Sequence, residues 1–262
     1  MSKNVAFVVA DNNNMKYAKM MINSLRKWHT EEELPVVIIN EEKIASYNDD
    51  KFFYRATPVI ARELSREYDL VLKLDADQII TGDLNHILND ESFDVAVVSN
   101  INRIDPPVYG HVAFATILPD EYYNCGLVAM RSKEFIRQWY NLCFSKHFVR
   151  CPYLEQDLLN VLCHYGPFKV RMLDLPLNTW EDHTWNGLIA KGEGMRMEVE
   201  GGRLVLPKAD DNYPSEKVVI KAYHWAGGSN SLDKMNYRIC FPEPVVDWID
   251  WLVSDTSKPY GK

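Results

Sequence analysis

Apolar residues in this chain fall alternately into short continuous runs and into recurrences of three to four residues. Val5 to Ala10 is an apolar run closed by Asp11 and three asparagines, and it predicts a first buried strand. Met15, Ala18, Ile22 and Leu25 then share one helical face, and Val36 to Ile39 is apolar again, so the chain opens β-α-β. Thr57 and Pro58 predict the N-cap and first-turn proline of a second helix, on which Ile60, Leu64 and Tyr68 recur every four residues. Leu70 to Leu74 predicts a third strand, almost uniformly apolar as a strand covered on both faces should be.

Further strands are predicted at Phe93 to Val98 and Tyr123 to Met130. The second leads into a helix at Lys133 to Phe144 with Phe135, Ile136, Trp139 and Cys143 inward, and another helix spans Leu154 to His164. From Met195 to Leu206 the apolar positions alternate about a turn at Gly201 and Gly202, the pattern of a β-hairpin. Leu177 to Gly194 has no period and reads as a long surface loop. Val218 to Ala222 reads as a strand, and Pro244 to Val253, with Trp248 and Trp251, as a terminal apolar segment. Asp247, Asp250 and Asp255 give that segment the wrong charge for an anionic lipid surface, so it is expected to pack on the domain or on a second subunit. No repeat, low-complexity tract or linker interrupts the 262 residues, which are expected to form one α/β domain.

Composition narrows the function. With 47% hydrophobic and 25% charged residues the chain is neither disordered, collagenous nor membrane-embedded. A formal charge of −8 is the wrong sign for gathering nucleic acid, and it means that an anionic ligand needs a local basic pocket or a bridging cation. The first apolar run is too short for a signal peptide or a membrane span. Five scattered cysteines without a Cys-x-x-Cys pair indicate neither a disulfide framework nor a zinc knuckle, and a reducing, cytoplasmic location is expected.

Candidate chemistry concentrates in Leu70-Val-Leu-Lys-Leu-Asp75-Ala-Asp77, followed by Gly82-Asp83-Leu84. Ligands of open α/β sheets collect at the carboxyl ends of strands, and alternation along an extended chain puts Asp75 and Asp77 on one side, where both can face a divalent cation. The plain alternative is a solvated strand end with two surface acids. Three enzyme classes place Asp-x-Asp there. A haloacid-dehalogenase-like phosphatase usually has the motif on its first strand, whereas two strands precede it here. A sugar nucleotidyltransferase calls for a Gly-rich loop after the first strand, and Ala10 to Met15 contains no glycine. The third class, the GT-A glycosyltransferases, fits. A non-catalytic module that binds sugar nucleotides or glycans on that fold is a further alternative.

The chain resembles family 8 glycosyltransferases, the group that includes glycogenin, galactinol synthase and bacterial lipopolysaccharide galactosyltransferases, over ordered blocks from about Val5 to Gly228. Val8-Val-Ala10-Asp11-Asn12, with Asn23-Ser-Leu25 after it, resembles the family's uracil-binding opening. Phe53-Tyr-Arg55-Ala-Thr-Pro58 resembles its Tyr-Arg-x-x-x-Pro helix start, whose Arg lies near the metal-binding acids and the donor. Leu74-Asp75-Ala-Asp77 with Gly82-Asp83-Leu84 resembles its Leu-Asp-x-Asp and Gly-Asp-Leu pair. Tyr123-Asn124-Cys-Gly126 resembles Phe-Asn-x-Gly, Glu155-Gln156-Asp157-Leu-Leu-Asn160 resembles Asp-Gln-Asp-x-Leu-Asn, and His224-Trp-Ala-Gly227 resembles His-x-x-Gly. The sequence departs from the family where a diphosphate-binding Lys is expected: Asn230 stands there, and Lys234 is the nearest replacement.

The resemblance implies an α/β fold of the GT-A, Rossmann-like type with a mixed, mostly parallel sheet, a nucleotide-sugar half at 1–130 and an acceptor half at 131–262. It implies transfer of a sugar from a UDP-sugar, such as a UDP-hexose, to a glycan, lipid-linked or protein acceptor with retention of configuration. Mn²⁺ or Mg²⁺ would be held by Asp75, Asp77 and His224. The donor would meet Ala10, Asp11, Asn12, Arg55, Asn124 and Gly227, and Glu155, Gln156 and Asp157 would border the transferred sugar. An inverting enzyme would instead need a carboxylate base, with Glu155, Asp157, Glu181 and Asp182 as candidates. His224 has an alternative as a structural histidine, and Gln156 and Asp157 as exposed helix positions. Trp180, His183, Trp185, Tyr223 and Trp225 are candidates for an acceptor platform or for core. A homodimer is compatible with the sequence.

Overall fold

The computed structural model describes residues 3–47, 52–99, 111–112, 115–117, 121–173, 183–186, 197–207, 217–224 and 243–254. The first part runs β1 (Asn4–Val9), α1 (Met15–Arg26), β2 (Val36–Ile39), α2 (Glu41–Ala45), α3 (Phe52–Leu64), β3 (Leu70–Leu74), β4 (Gln78–Ile80), α4 (Asn85–Leu88) and β5 (Val95–Ser99). A two-stranded ribbon of β6 (His111–Val112) and β7 (Ala115–Thr116) precedes β8 (Tyr123–Met130), α5 (Lys133–Cys143), α6 (Leu154–Tyr165) and β9 (Val170–Met172). The rest comprises β10 (His183–Asn186), β11 (Glu198–Glu200), β12 (Arg203–Leu206), β13 (Val218–His224) and α7 (Glu243–Ser254).

Six strands form the central sheet in the order β2-β1-β3-β8-β5-β9, with β8 antiparallel to both neighbours and every other pairing parallel. Alternation along each strand divides its side chains between two cores. Ala6, Val8, Leu70, Leu72, Leu74, Ala96, Val98, Leu127 and Ala129 face α1, α7 and the second sheet. Val5, Phe7, Val71, Val95, Val97, Val128 and Met130 face α3, α5 and α6. Both faces are therefore covered, which explains why these strands read as apolar runs without a polar face.

The second sheet has the order β10-β13-β12-β11, with β4 pairing antiparallel to β13 beyond the end of β12, on the edge opposite β10. Its β11–β12 hairpin turns at Gly201 and Gly202, whose φ values of 55° and 75° are left-handed, as a tight hairpin turn requires. Helix α7 buries Val245, Trp248, Ile249 and Leu252 in the core and packs on α1. Each such side chain contributes about 1.5 to 3 kcal/mol of transfer free energy. Lys27 on the α1 side caps this contact with its ammonium 3.8 Å from the Trp251 ring centre. Among the described residues no helix is long and apolar enough to cross a membrane.

Two sequence expectations are corrected. Thr57 and Pro58 do not start α3, which begins at Phe52 and carries Pro58 inside it. The proline forfeits only the hydrogen bond to the Tyr54 carbonyl, in a turn whose Phe53 and Tyr54 are exposed, so the helix survives it. Within the expected loop from Leu177 to Gly194, His183 to Asn186 form β10 along β13; the remainder lies outside the described residues. Pairing with an existing edge overrides the absence of a period in the sequence.

Candidate functional site

The parallel strands β1 and β3 lie side by side in the register Phe7↔Lys73, so their carboxyl ends open on the same edge of the sheet. Asp75 and Asp77 follow β3 there. The chain then turns into β4, whose pairing with β13 sets His224 opposite Gln78, and so places the imidazole over the two acids. His224 Nε2 is 3.1 Å from Asp77 Oδ1 and 3.8 Å from Asp75 Oδ2. One ligand atom from each of the three residues lies within 4.8 Å of the others. Two carboxylate oxygens and one imidazole nitrogen converging at this distance fit a divalent cation of the Mn²⁺ or Mg²⁺ type. Burial would raise the Asp77 carboxyl, but the adjacent His224, with a backbone hydrogen bond and the Lys73 charge, outweighs it and holds Asp77 below the usual carboxylate range.

Strand β8 is bulged beside these acids. Its register against β5 jumps between Val97↔Val128 and Val98↔Asn124, so Cys125 to Leu127 have no partner on β5, while Leu127 stays in register with Leu74 of β3. Side chains and β3 serve the freed backbone groups. The Cys125 N–H donates to Gln156 Oε1 at 3.0 Å, and the Gly126 N–H donates to Asn124 Oδ1 at 2.5 Å. The Cys125 carbonyl accepts from Lys73 Nζ at 2.5 Å, and the Gly126 carbonyl accepts from the Asp75 N–H at 2.8 Å. His224 packs so tightly on this bulge that a Cβ at Gly126 would lie 2.3 Å from its Cε1.

Helix α6 enters the site through a strained residue. Leu154 has φ 50°, a left-handed conformation costing roughly 1 to 2 kcal/mol for a residue with a Cβ, and it turns the following residues inward. Asp157 is 1% exposed, with Oδ1 accepting from Tyr122 Oη at 2.6 Å and Oδ2 from the Tyr153 N–H at 2.8 Å. Gln156 donates through Nε2 to Tyr122 Oη at 3.3 Å, and Asn160 grips the Tyr123 backbone with both ends of its amide. The reading of Gln156 and Asp157 as exposed helix positions is thereby replaced: Asp157 is buried and both side chains are engaged.

Glu155 differs from its neighbours. Its Oε1 is 4.0 Å from Cys125 Sγ, and its Oε2 is sealed from solvent without a hydrogen-bond partner. Burial pushes this carboxyl up to about 8, against the smaller pull of Lys73. A carboxyl raised in the folded state binds more protons there than in the unfolded chain, so its contribution to stability is full below the ordinary glutamate value and is lost as pH rises through about 8. Wild-type protein is therefore expected to lose thermal stability relative to Glu155→Gln between pH 5 and pH 8. Melting curves of both proteins across that range check this; parallel curves would place the Glu155 carboxyl in water.

The other expected positions divide. Ala10 and Asp11 stand at the end of β1, where Asp11 Oδ1 accepts from Asn14 Nδ2 at 2.8 Å, and the Asn12 N–H is 3.4 Å from Glu41 Oε2. Arg55 donates from Nε to the Cys143 carbonyl at 3.0 Å and lies 4.5 Å from the Phe148 ring centre, joining α3 to the end of α5. Tyr223 is buried in the core. Gly227, Trp180, Glu181, Asp182, Trp225, Asn230 and Lys234 lie outside the described residues. Sequence reading passed over two buried lysines, each 3% exposed: Lys73, ion-paired to Asp75, and Lys221, 2.6 Å from Asp83 Oδ2. The signal was a single cation inside an apolar strand, as in Leu-Val-Leu-Lys-Leu and Val-Val-Ile-Lys-Ala. Burial alone would lower the Lys73 ammonium, but the charge and hydrogen bond of Asp75, with Cys125 and Glu155, together outweigh it and push it up to about 12, so it stays cationic.

No protein-family model matches the chain, and no curated protein matches it in sequence. Solved structures do. The chain is similar to the WbbM bifunctional glycosyltransferase, with a TM-score of 0.57 and 17% identity over 87% of this chain and 46% of that one. It is similar to the galactosyltransferase LgtC, solved with donor and acceptor sugar analogs, with a TM-score of 0.52 and 14% identity over 98% of each chain. It is similar to a glycosyltransferase involved in glycosylation of the major capsid of PBCV-1, with a TM-score of 0.51 and 12% identity over 90% of this chain and 99% of that one. The chain has the GT-A fold. It spans less than half of WbbM. On a GT-A sheet the edge bearing Asp75 and Asp77 is the carboxyl end of the parallel strands, where ligands of α/β folds bind.

Proposed function

We propose that the chain is a metal-dependent glycosyltransferase of the family 8 kind, moving a hexosyl group from a UDP-sugar to an acceptor hydroxyl with retention. The single observation that carries this reading is the convergence of Asp75, Asp77 and His224 at the carboxyl edge of a GT-A sheet. The chain acts as one domain, with donor binding in residues 1–130 and acceptor binding in the remainder. Bound Mn²⁺ or Mg²⁺ would supply electrophilic stabilisation of charge on the departing diphosphate.

The residues have distinct tasks. Asp75, Asp77 and His224 hold the cation, with His224 kept in place by its contact with Gly126 and its hydrogen bond to Asp77. Ala10, Asp11 and Asn12 meet the uracil at the end of β1, and Asn124 and Gly227 border the donor. Arg55 acts at a distance, by fixing α3 to the end of α5. Gln156 and Asp157 hold the β8 bulge and the start of α6, so that Glu155 borders the sugar.

Retention is supported by what α6 offers as a base. Glu155, raised to about 8, is mostly protonated at neutral pH, and both oxygens of Asp157 are hydrogen-bonded. Neither is a free carboxylate ready to deprotonate an acceptor hydroxyl. The phosphatase reading is not favoured by a fold shared with glycosyltransferases. The binding-module reading differs in having no turnover.

Thermal shifts with UDP-, GDP- and CDP-sugars, with Mn²⁺ and with chelator, test the proposal. The uridine donors are expected to give the largest stabilisation, and donor turnover is expected to vanish in chelator and return with Mn²⁺. Full turnover in chelator would overturn the metal assignment, and equal shifts for all three bases would overturn the uracil assignment.

A further inference from the structure

We propose that Lys73 is a positioning residue of this site, a built-in counter-charge that keeps a divalent cation weakly bound in the free protein and lets it bind firmly only together with a diphosphate. The inference rests on the metal reading above. Lys73 lies in β3 two residues before Asp75, and its side chain, 4% exposed, ends in an ion pair with Asp75 Oδ1. Its ammonium is also held by the Cys125 carbonyl in the β8 bulge at 2.5 Å. The other Asp75 oxygen, Oδ2, is the one turned to His224. One carboxylate thus serves two cations, one fixed and one exchangeable.

The charges explain the consequence. Asp75 and Asp77 alone would present two negative charges to a dication. With Lys73 in contact the three side chains sum to a single negative charge, and the ammonium, itself 4% exposed, repels the incoming ion at short range. A diphosphate brings further negative charge, which restores the attraction. Lys73 is too buried to touch the diphosphate itself, so it acts through Asp75.

The test is titration of the full chain with Mn²⁺, followed by electron paramagnetic resonance, with and without UDP, for wild type, Lys73→Gln and Lys73→Met. Lys73→Gln keeps donors for Asp75 and for the Cys125 carbonyl but removes the charge; Lys73→Met removes both. Circular dichroism melting verifies that each variant folds. Wild type is expected to bind Mn²⁺ at least ten-fold more tightly with UDP than without. Lys73→Gln is expected to bind Mn²⁺ alone at least ten-fold more tightly than wild type, with a smaller gain from UDP. A purely structural lysine would give the opposite, because a loosened Asp75 binds the ion no better or worse.

Equal or weaker Mn²⁺ binding by a folded Lys73→Gln or Lys73→Met would overturn the role of Lys73 and leave the metal site standing. If both variants fail to fold, wild type decides: Mn²⁺ affinity that UDP does not change overturns the proposal. Absence of Mn²⁺ binding by wild type in every condition would overturn the metal reading and this inference with it.

Discussion

Asp77→Asn is expected to lower donor turnover by about 10²-fold or more, the scale seen when one preorganised electrostatic contact is removed from a reacting centre. Asn is nearly isosteric with Asp, and it can still accept a hydrogen bond from His224, 3.1 Å away, so the fold should persist. What disappears is a negative charge in a side chain 15% exposed, where water compensates little. Mn²⁺-dependent donor binding should weaken in parallel. Asp83→Asn is the control: its carboxylate pairs with Lys221 at the far end of β4 from Asp77, and loss of that pair should cost stability more than turnover. Rates and donor affinities at matched Mn²⁺ for both variants check this, and a wild-type rate in Asp77→Asn would contradict the assignment of the ligand.

Gly126→Ala should be nearly as damaging, through a different route. The new methyl would lie 2.3 Å from His224 Cε1, 2.5 Å from its Nδ1 and 2.7 Å from Asn124 Oδ1. None of these can retreat easily: the His224 ring is 8% exposed on a strand paired with β4 on one side and β10 on the other, and Asn124 is tied to the same bulge. Overpacking of this kind costs about 1 to 3 kcal/mol, and the displaced imidazole leaves the cation two ligands. A drop in melting temperature should accompany loss of the stabilisation that Mn²⁺ gives together with UDP. Adding His224→Ala removes the ring that the methyl strikes, so the double variant should regain stability over Gly126→Ala without regaining turnover. A Gly126→Ala protein with wild-type melting and wild-type Mn²⁺ response would show that the close packing is not needed.

The sheet was legible because its strands are buried on both faces. Leu70–Leu74 and Tyr123–Met130 coincide with their expected spans, and α5 buries Phe135, Ile136, Trp139 and Cys143 as its period requires. The start of α3 was misplaced because Thr-Pro carries the local chemistry of a helix start, whereas packing of the whole helix decides where it begins. β4 and β9 are three residues each, too short to leave a period. In the site, two acids at a strand end were readable from alternation. That Gln156 and Asp157 face inward was not, because a positive φ at Leu154 rotates the start of α6 and leaves no trace in residue type. The bulge in β8 was hidden for the same reason: it is defined by partners on β5, β3 and α6 that are distant in sequence.

The pairing of β4 with β13 also orders events in time. His224 and Asp77 are 147 positions apart in the chain, and closing a loop of that size costs roughly 4 kcal/mol by the logarithmic law before any contact rewards it. By contrast, β1, α1, β2, α3 and β3 are near neighbours in sequence and can assemble early. During synthesis both carboxylates emerge well before the strand that carries the histidine. The ligand set therefore becomes whole only when β13 docks along β4, and a chain interrupted upstream of Val218 would lack the nitrogen ligand however well its first strands had paired.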